Sequence, residues 1–96
     1  MAEPPDRRGF RAVVHGRVQG VGFRYSAVRE ARSLGLSGTV ANRFDGTVEV
    51  AAEGDARRLA VFVSWLHKGP PGSRVTSVDV QWLAWTGAYQ DFDVDF

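Results

Sequence analysis

The chain has 96 residues, enough for one domain that buries roughly 60 to 70% of its unfolded surface and too few for a second. It contains no cysteine, which excludes disulfides, thiolate metal sites and a cysteine nucleophile, and suits a reducing compartment. Its net charge of +1 hides an arginine-rich first half and an acidic end at Asp91, Asp93 and Asp95, but neither forms the continuous charged block of a nucleic-acid binder.

Met1 to Arg8, with Pro4 and Pro5 adjacent, has too little apolar surface to offset the cost of ordering, so a flexible tail (1–8) is expected before a domain over 9–96. The tail lacks the apolar centre of a signal peptide, and no stretch approaches the ~20 apolar residues of a membrane span. A cytoplasmic protein without a membrane partner is expected. Phe10, Ala12 and Val14 alternate with Arg11, Val13 and His15, which predicts a strand. The loop VQGVGFR, Val18 to Arg24, follows. From Phe23, the residues Ala27, Ala31 and Leu34 recur every three or four positions and predict a helix that Gly35 stops. Leu36 to Ala41 reads as a second strand, and Phe44-Asp45-Gly46 as a hairpin turn into a third. There Val48, Val50 and Ala52 alternate with Thr47, Glu49 and Ala51. Asp55 offers an N-cap to a helix carrying Ala56, Leu59, Val63 and Leu66, flanked by Ala60 and Phe62 and ending near His67-Lys68-Gly69. Pro70, Pro71 and Gly72 force a loop. Val78, Val80 and Trp82 predict a fourth strand, and Phe92, Val94 and Phe96 a short terminal segment with apolar side chains inward and aspartates outward.

This order predicts an α+β fold, a ferredoxin-like split βαβ sandwich with one antiparallel sheet and two helices on one face. In that topology the first two strands run the same way with another between them. The glycine loop and Asn42 then share one edge.

Gly20 and Gly22 let the backbone turn several N–H groups into one concavity, and the helix start adds its own unpaired amides and the positive end of its dipole. Arg24 follows with a planar fork suited to phosphate or carboxylate. His15, on the mixed face of the first strand, is a poor candidate for a general base, and His67 reads as a helix-end dipole partner. No spacing brings the two histidines together with carboxylates, so no metal site is expected. Trp65, Trp82 and Trp85 read as core and rim aromatics, one of them a candidate to line a substrate pocket. RNA-recognition domains share this order of elements. They need stacking rings on the open sheet face, where the third strand offers only Thr47, Glu49 and Ala51.

Four segments carry a resemblance: VVHGRVQGVGFRY from Val13 to Tyr25, ARSLGLSGTVANRFDGTVEV from Ala31 to Val50, Gly69-Pro70-Pro71 and Phe92-Asp93-Val94. Over nearly everything after Gly9 the chain resembles the acylphosphatases. The resemblance implies hydrolysis of small acyl phosphates to carboxylate and phosphate without metal or cofactor, with Arg24 and Asn42 as the catalytic pair. The phosphate would rest on the loop from Gln19 through Gly20, Val21 and Gly22 to Phe23. The family usually carries Trp where this chain has Thr39, a change expected to touch packing or substrate access. Larger enzymes of carbamoyl transfer begin with a similar segment, but a one-domain chain is expected to lack their partner modules. A monomer that binds no nucleic acid is expected; the alternative is a phosphate-binding or RNA-binding module without turnover.

Overall fold

The computed structural model describes residues 6–96 as β1 (Arg7–Arg17), α1 (Phe23–Ser33), β2 (Ser37–Asn42), β3 (Val48–Asp55), α2 (Ala56–Lys68), β4 (Arg74–Ala84) and β5 (Phe92–Val94). The five strands form one sheet in the order β4-β1-β3-β2-β5. Both helices cover the same face, α2 over β1, β3 and β4, and α1 over β2 and β5.

Alternation drives this layering. Phe10, Ala12 and Val14 of β1 and Val48, Val50 and Ala52 of β3 point to the helical face and are fully buried, together with Ala27 and Ala31 of α1 and Leu59 and Leu66 of α2. Phe62, placed at the flank of the helical stripe by its spacing, is instead at the centre of the core. It lies against Phe10, Trp65 and Phe92, with ring centroids 6.1, 6.1 and 5.6 Å away. Asp55 caps α2 by accepting from the backbone N–H of Arg57 and Arg58 at 2.9 and 3.2 Å.

Three expectations need correction. Arg7 and Arg8 are not tail: they open β1, paired with Asp55 and Gly54 of β3, and the Ala56 N–H donates to the Asp6 carbonyl at 2.8 Å. Backbone pairing orders them without any apolar side chain; the rest of the expected tail, 1–5, lies outside the described residues. The sheet is not wholly antiparallel, because β5 runs parallel to β2, with Gly38 opposite Phe92 and Val40 opposite Val94. Phe96 does not turn inward; pairing ends at Val94 and Phe96 is 96% exposed.

The parallel pair follows from the route of the chain. β4 and β5 occupy opposite edges, so residues 85–91 cross the face left open by the helices. Glu53 of β3 projects onto that face and holds the crossing. Its carboxylate accepts from the Thr86 N–H and Oγ1 at 3.1 and 2.6 Å and from the Gly87 N–H at 2.9 Å. These bonds satisfy a carboxylate that is only 5% exposed. Arg32 then fixes the far side, donating to the Phe92 carbonyl at 3.0 Å and pairing with Asp91 at 3.5 Å. No helix among the described residues is long and apolar enough to cross a membrane.

Candidate active site

Both β1 and β2 pair antiparallel with β3, so they run in one direction and end at one edge of the sheet. The loop after β1 and the hairpin after β2 therefore meet there. Gly20 and Gly22 hold φ of 72° and 77°, left-handed values that β-carbon-bearing residues adopt only under strain. A β-carbon at either would meet no atom within 4 Å. Backbone conformation, not crowding, requires glycine here.

Gly22 is the N-cap of α1, with no side chain capping that helix and no acidic residue in its first turn. The backbone N–H groups from Gln19 to Arg24 find no acceptor among the described residues. Unpaired donors at the positive end of a helix make an anion-binding concavity. Val18 anchors the loop below, and Phe23 sends its ring into the core beside Trp65, centroids 5.4 Å apart, leaving only its backbone for a ligand.

Gln19 ties this loop to the hairpin. Its side-chain Nε2 donates to the Arg43 carbonyl at 2.7 Å and to the Thr47 carbonyl at 2.9 Å, the two residues that flank the turn. The turn closes itself through Arg43 N–H to the Thr47 carbonyl at 2.9 Å and Gly46 N–H to the Arg43 carbonyl at 3.2 Å. Asp45 accepts from both the hydroxyl and the N–H of Thr47, and these bonds hold its carboxyl below the ordinary value of 3.8. Thr47, expected on the open face of β3, precedes that strand and is buried in this turn.

Asn42 is the last residue of β2, exposed, and its carboxamide has no hydrogen bond among the described residues. It lines a shallow recess of about 520 Å³ with Arg43, Phe44, Asp45, Asp95 and Phe96. Arg24, half-buried on the first turn of α1, has no carboxylate within ion-pair distance among the described residues; its guanidinium lies 5.8 Å from the centroid of the Phe96 ring. Phe96 thus touches both Arg24 and the recess of Asn42. Arg43 is engaged elsewhere, sharing Glu49 with Arg11 at 3.4 and 3.5 Å.

The other candidates lie apart. His15 faces Asp79 of β4, Nε2 to Oδ2 2.9 Å, and His67 Nδ1 donates to the Val63 carbonyl within α2 at 3.0 Å. Among the described residues no group of three or more His, Asp or Glu is spaced to hold a metal ion. Trp82 and Trp85 stand at the opposite end of the sheet, near Arg7 and Arg8, and Trp65 lines a separate groove of about 460 Å³ against Arg29 and Lys68. None of the three reaches Asn42; the rings at its recess are Phe44 and Phe96. Thr39 sits mid-strand opposite Ala51 and Asp93, three residues before Asn42.

Sequence reading missed the Gln19 side chain, whose partners are main-chain carbonyls that carry no signature. It also missed Phe44, which reads as part of a turn.

A family model described as Acylphosphatase matches residues 10–94. Among curated relatives, an acylphosphatase of Thermococcus kodakarensis is 56% identical over 69 residues, 72% of this chain and 76% of that protein. One of Anaeromyxobacter dehalogenans is 46% identical over 91 residues, 95% and 98% of the two chains. The crystal structure of an acylphosphatase from Bacillus subtilis superposes with a TM-score of 0.90 at 40% identity, covering 93% of this chain and 99% of that one. The fold also matches part of full-length HypF in a phosphate- and nucleotide-bound form, with a TM-score of 0.89 at 25% identity, covering this whole chain but 13% of that one.

Proposed function

The chain belongs to the acylphosphatase family, hydrolases of acyl phosphates, and from that premise we propose that Arg24 and Asn42 carry out the hydrolysis over the Gln19–Phe23 loop. The supporting observation is the double hydrogen bond from Gln19 to the Arg43 and Thr47 carbonyls. It joins a loop of unpaired amides to the strand end that bears Asn42.

In this reading the phosphoryl group rests on the amides of Gln19, Gly20, Val21, Gly22 and Phe23, and the Arg24 fork takes two of its oxygens. The Asn42 carboxamide accepts a hydrogen bond from water through its oxygen and donates through its nitrogen to the phosphoryl group. The water oxygen attacks phosphorus in line, the bond from phosphorus to the acyl oxygen breaks, and the carboxylate departs with the electron pair. The water's proton passes to a phosphoryl oxygen. A carboxylate is a good leaving group, so positioning and charge neutralisation supply the catalysis and neither a metal nor a base is required. One preorganised donor of this kind contributes about 3 to 4 kcal/mol to lowering the barrier.

In this reading the enzyme is a cytoplasmic monomer that works on small molecules and binds no nucleic acid; the cysteine-free composition supports a reducing compartment, and Glu49 and Ala51 on the open face of β3 offer no ring for a base to stack on. The test is the disappearance of benzoyl phosphate with equimolar release of inorganic phosphate, in the presence of a chelator. Binding of phosphate without accelerated loss of benzoyl phosphate would leave an anion-binding module instead.

A further inference from the structure

The same edge carries two side chains that phosphoryl chemistry does not use. Phe44, at the hairpin tip, and Phe96 are exposed at 114% and 96%, the highest values among the large apolar side chains described. Neither contributes to the core, and the turn that carries Phe44 is ordinarily polar, so both leave apolar surface in water. Both line the recess that holds Asn42. An acyl group attached to a phosphoryl group held by Arg24 and Asn42 would have these rings beside it.

The charges around the recess sharpen the choice of ligand. Asp45 and Asp95 line it, and neither forms an ion pair among the described residues. Arg43, the cation closest to them in the lining, is bound to Glu49 at 3.4 Å. With Arg24 committed to the phosphoryl group, an acyl group with its own carboxylate would therefore face these two unpaired carboxylates without a further free cation in the lining. An uncharged ring would find two aromatic faces.

Resting on the proposed roles of Arg24 and Asn42, we propose that Phe44 and Phe96 form the acyl-group site, and that it selects acyl phosphates with an uncharged, aryl-sized acyl group over those bearing a second carboxylate. Phe44 and Asp95 are specificity residues, acting on the part of the substrate that does not react.

The test measures kcat/KM for benzoyl, acetyl and succinyl phosphate in the unaltered protein, Phe44→Ala and Asp95→Asn at low ionic strength. Acetyl phosphate serves as the internal reference: a general loss of activity cancels in each ratio, and the differing intrinsic reactivities of the substrates cancel when the same ratio is compared between the unaltered protein and a variant. The benzoyl-to-acetyl ratio is expected to fall about fivefold or more in Phe44→Ala, the scale of one aromatic contact. The succinyl-to-acetyl ratio is expected to rise in Asp95→Asn and to rise less in high salt. Ratios that stay constant in both variants would overturn the acyl-group site while leaving the hydrolase intact. Failure of the unaltered protein to hydrolyse any of the three would overturn the hydrolase reading and the site with it.

Discussion

Removing the Arg24 guanidinium and removing the Asn42 carboxamide are expected to fail differently. Asn42→Ala should keep inhibition by inorganic phosphate within a few-fold and abolish turnover, because in the proposed mechanism the water loses its guide while the anion keeps its cradle. Arg24→Ala should lose both, and Arg24→Lys should recover little, since a point charge replaces a planar fork. Inhibition constants for phosphate beside turnover rates check the division; equal loss of phosphate affinity in the two alanine variants would contradict it. Gln19→Leu releases the hairpin from the loop without touching the backbone amides, so kcat should fall more than KM changes. That Arg24 opens a helix after a glycine loop and that Asn42 ends a strand before a hairpin turn was legible in the sequence, because both are local patterns. Gln19 was not. Its role depends on two carbonyls 24 and 28 residues away, and main-chain acceptors look alike in every sequence.

Among the elements, α2 and the β2–β3 hairpin were readable because each carries its own stop and start signals. Asp55 caps α2 with two bonds, and Asp55→Ala should cost about 1 kcal/mol, a fall of about 4 to 8 °C in melting temperature for a chain of this size. The hairpin contributes an acid dependence. Its Asp45 carboxyl is held down by the Thr47 hydroxyl and N–H, so the ionised form is the one the fold favours. That contribution is complete above the ordinary carboxylate value of 3.8 and is lost as pH falls through the lower value of the folded state. The stability difference between the unaltered protein and Asp45→Ala, followed by denaturant titration, should therefore be largest near neutral pH and shrink in acid. Alternation told which side chains of the last strand turn inward at Phe92, but it says nothing of strand direction or of where pairing stops. The parallel partner of β5 and the exposed Phe96 were hidden for that reason. They are settled by the crossing segment and its anchorage on Glu53, a residue that in sequence is only one more polar position of β3.

Across the whole molecule, the sheet order decides what the parts can do together. The helical face is closed by Phe10, Phe62, Leu59 and Phe92, and Phe62→Ala should cost about 3 to 5 kcal/mol, enough to unfold a large share of a small domain near physiological temperature. The fold class was accessible from element order alone, since two strand-helix-strand units with right-handed crossovers leave few alternatives. The open face was not, because its cover comes from an irregular stretch with no period to read. One property of this sheet reaches beyond the finished molecule. β1 lies between β3 and β4, and β4 begins only at Arg74, so the first strand made lacks its second neighbour until most of the chain has left the ribosome. Folding must wait for contacts between the two ends of the chain, which places this protein among slow folders of its size, and a nascent chain arrested before Arg74 should remain sensitive to protease.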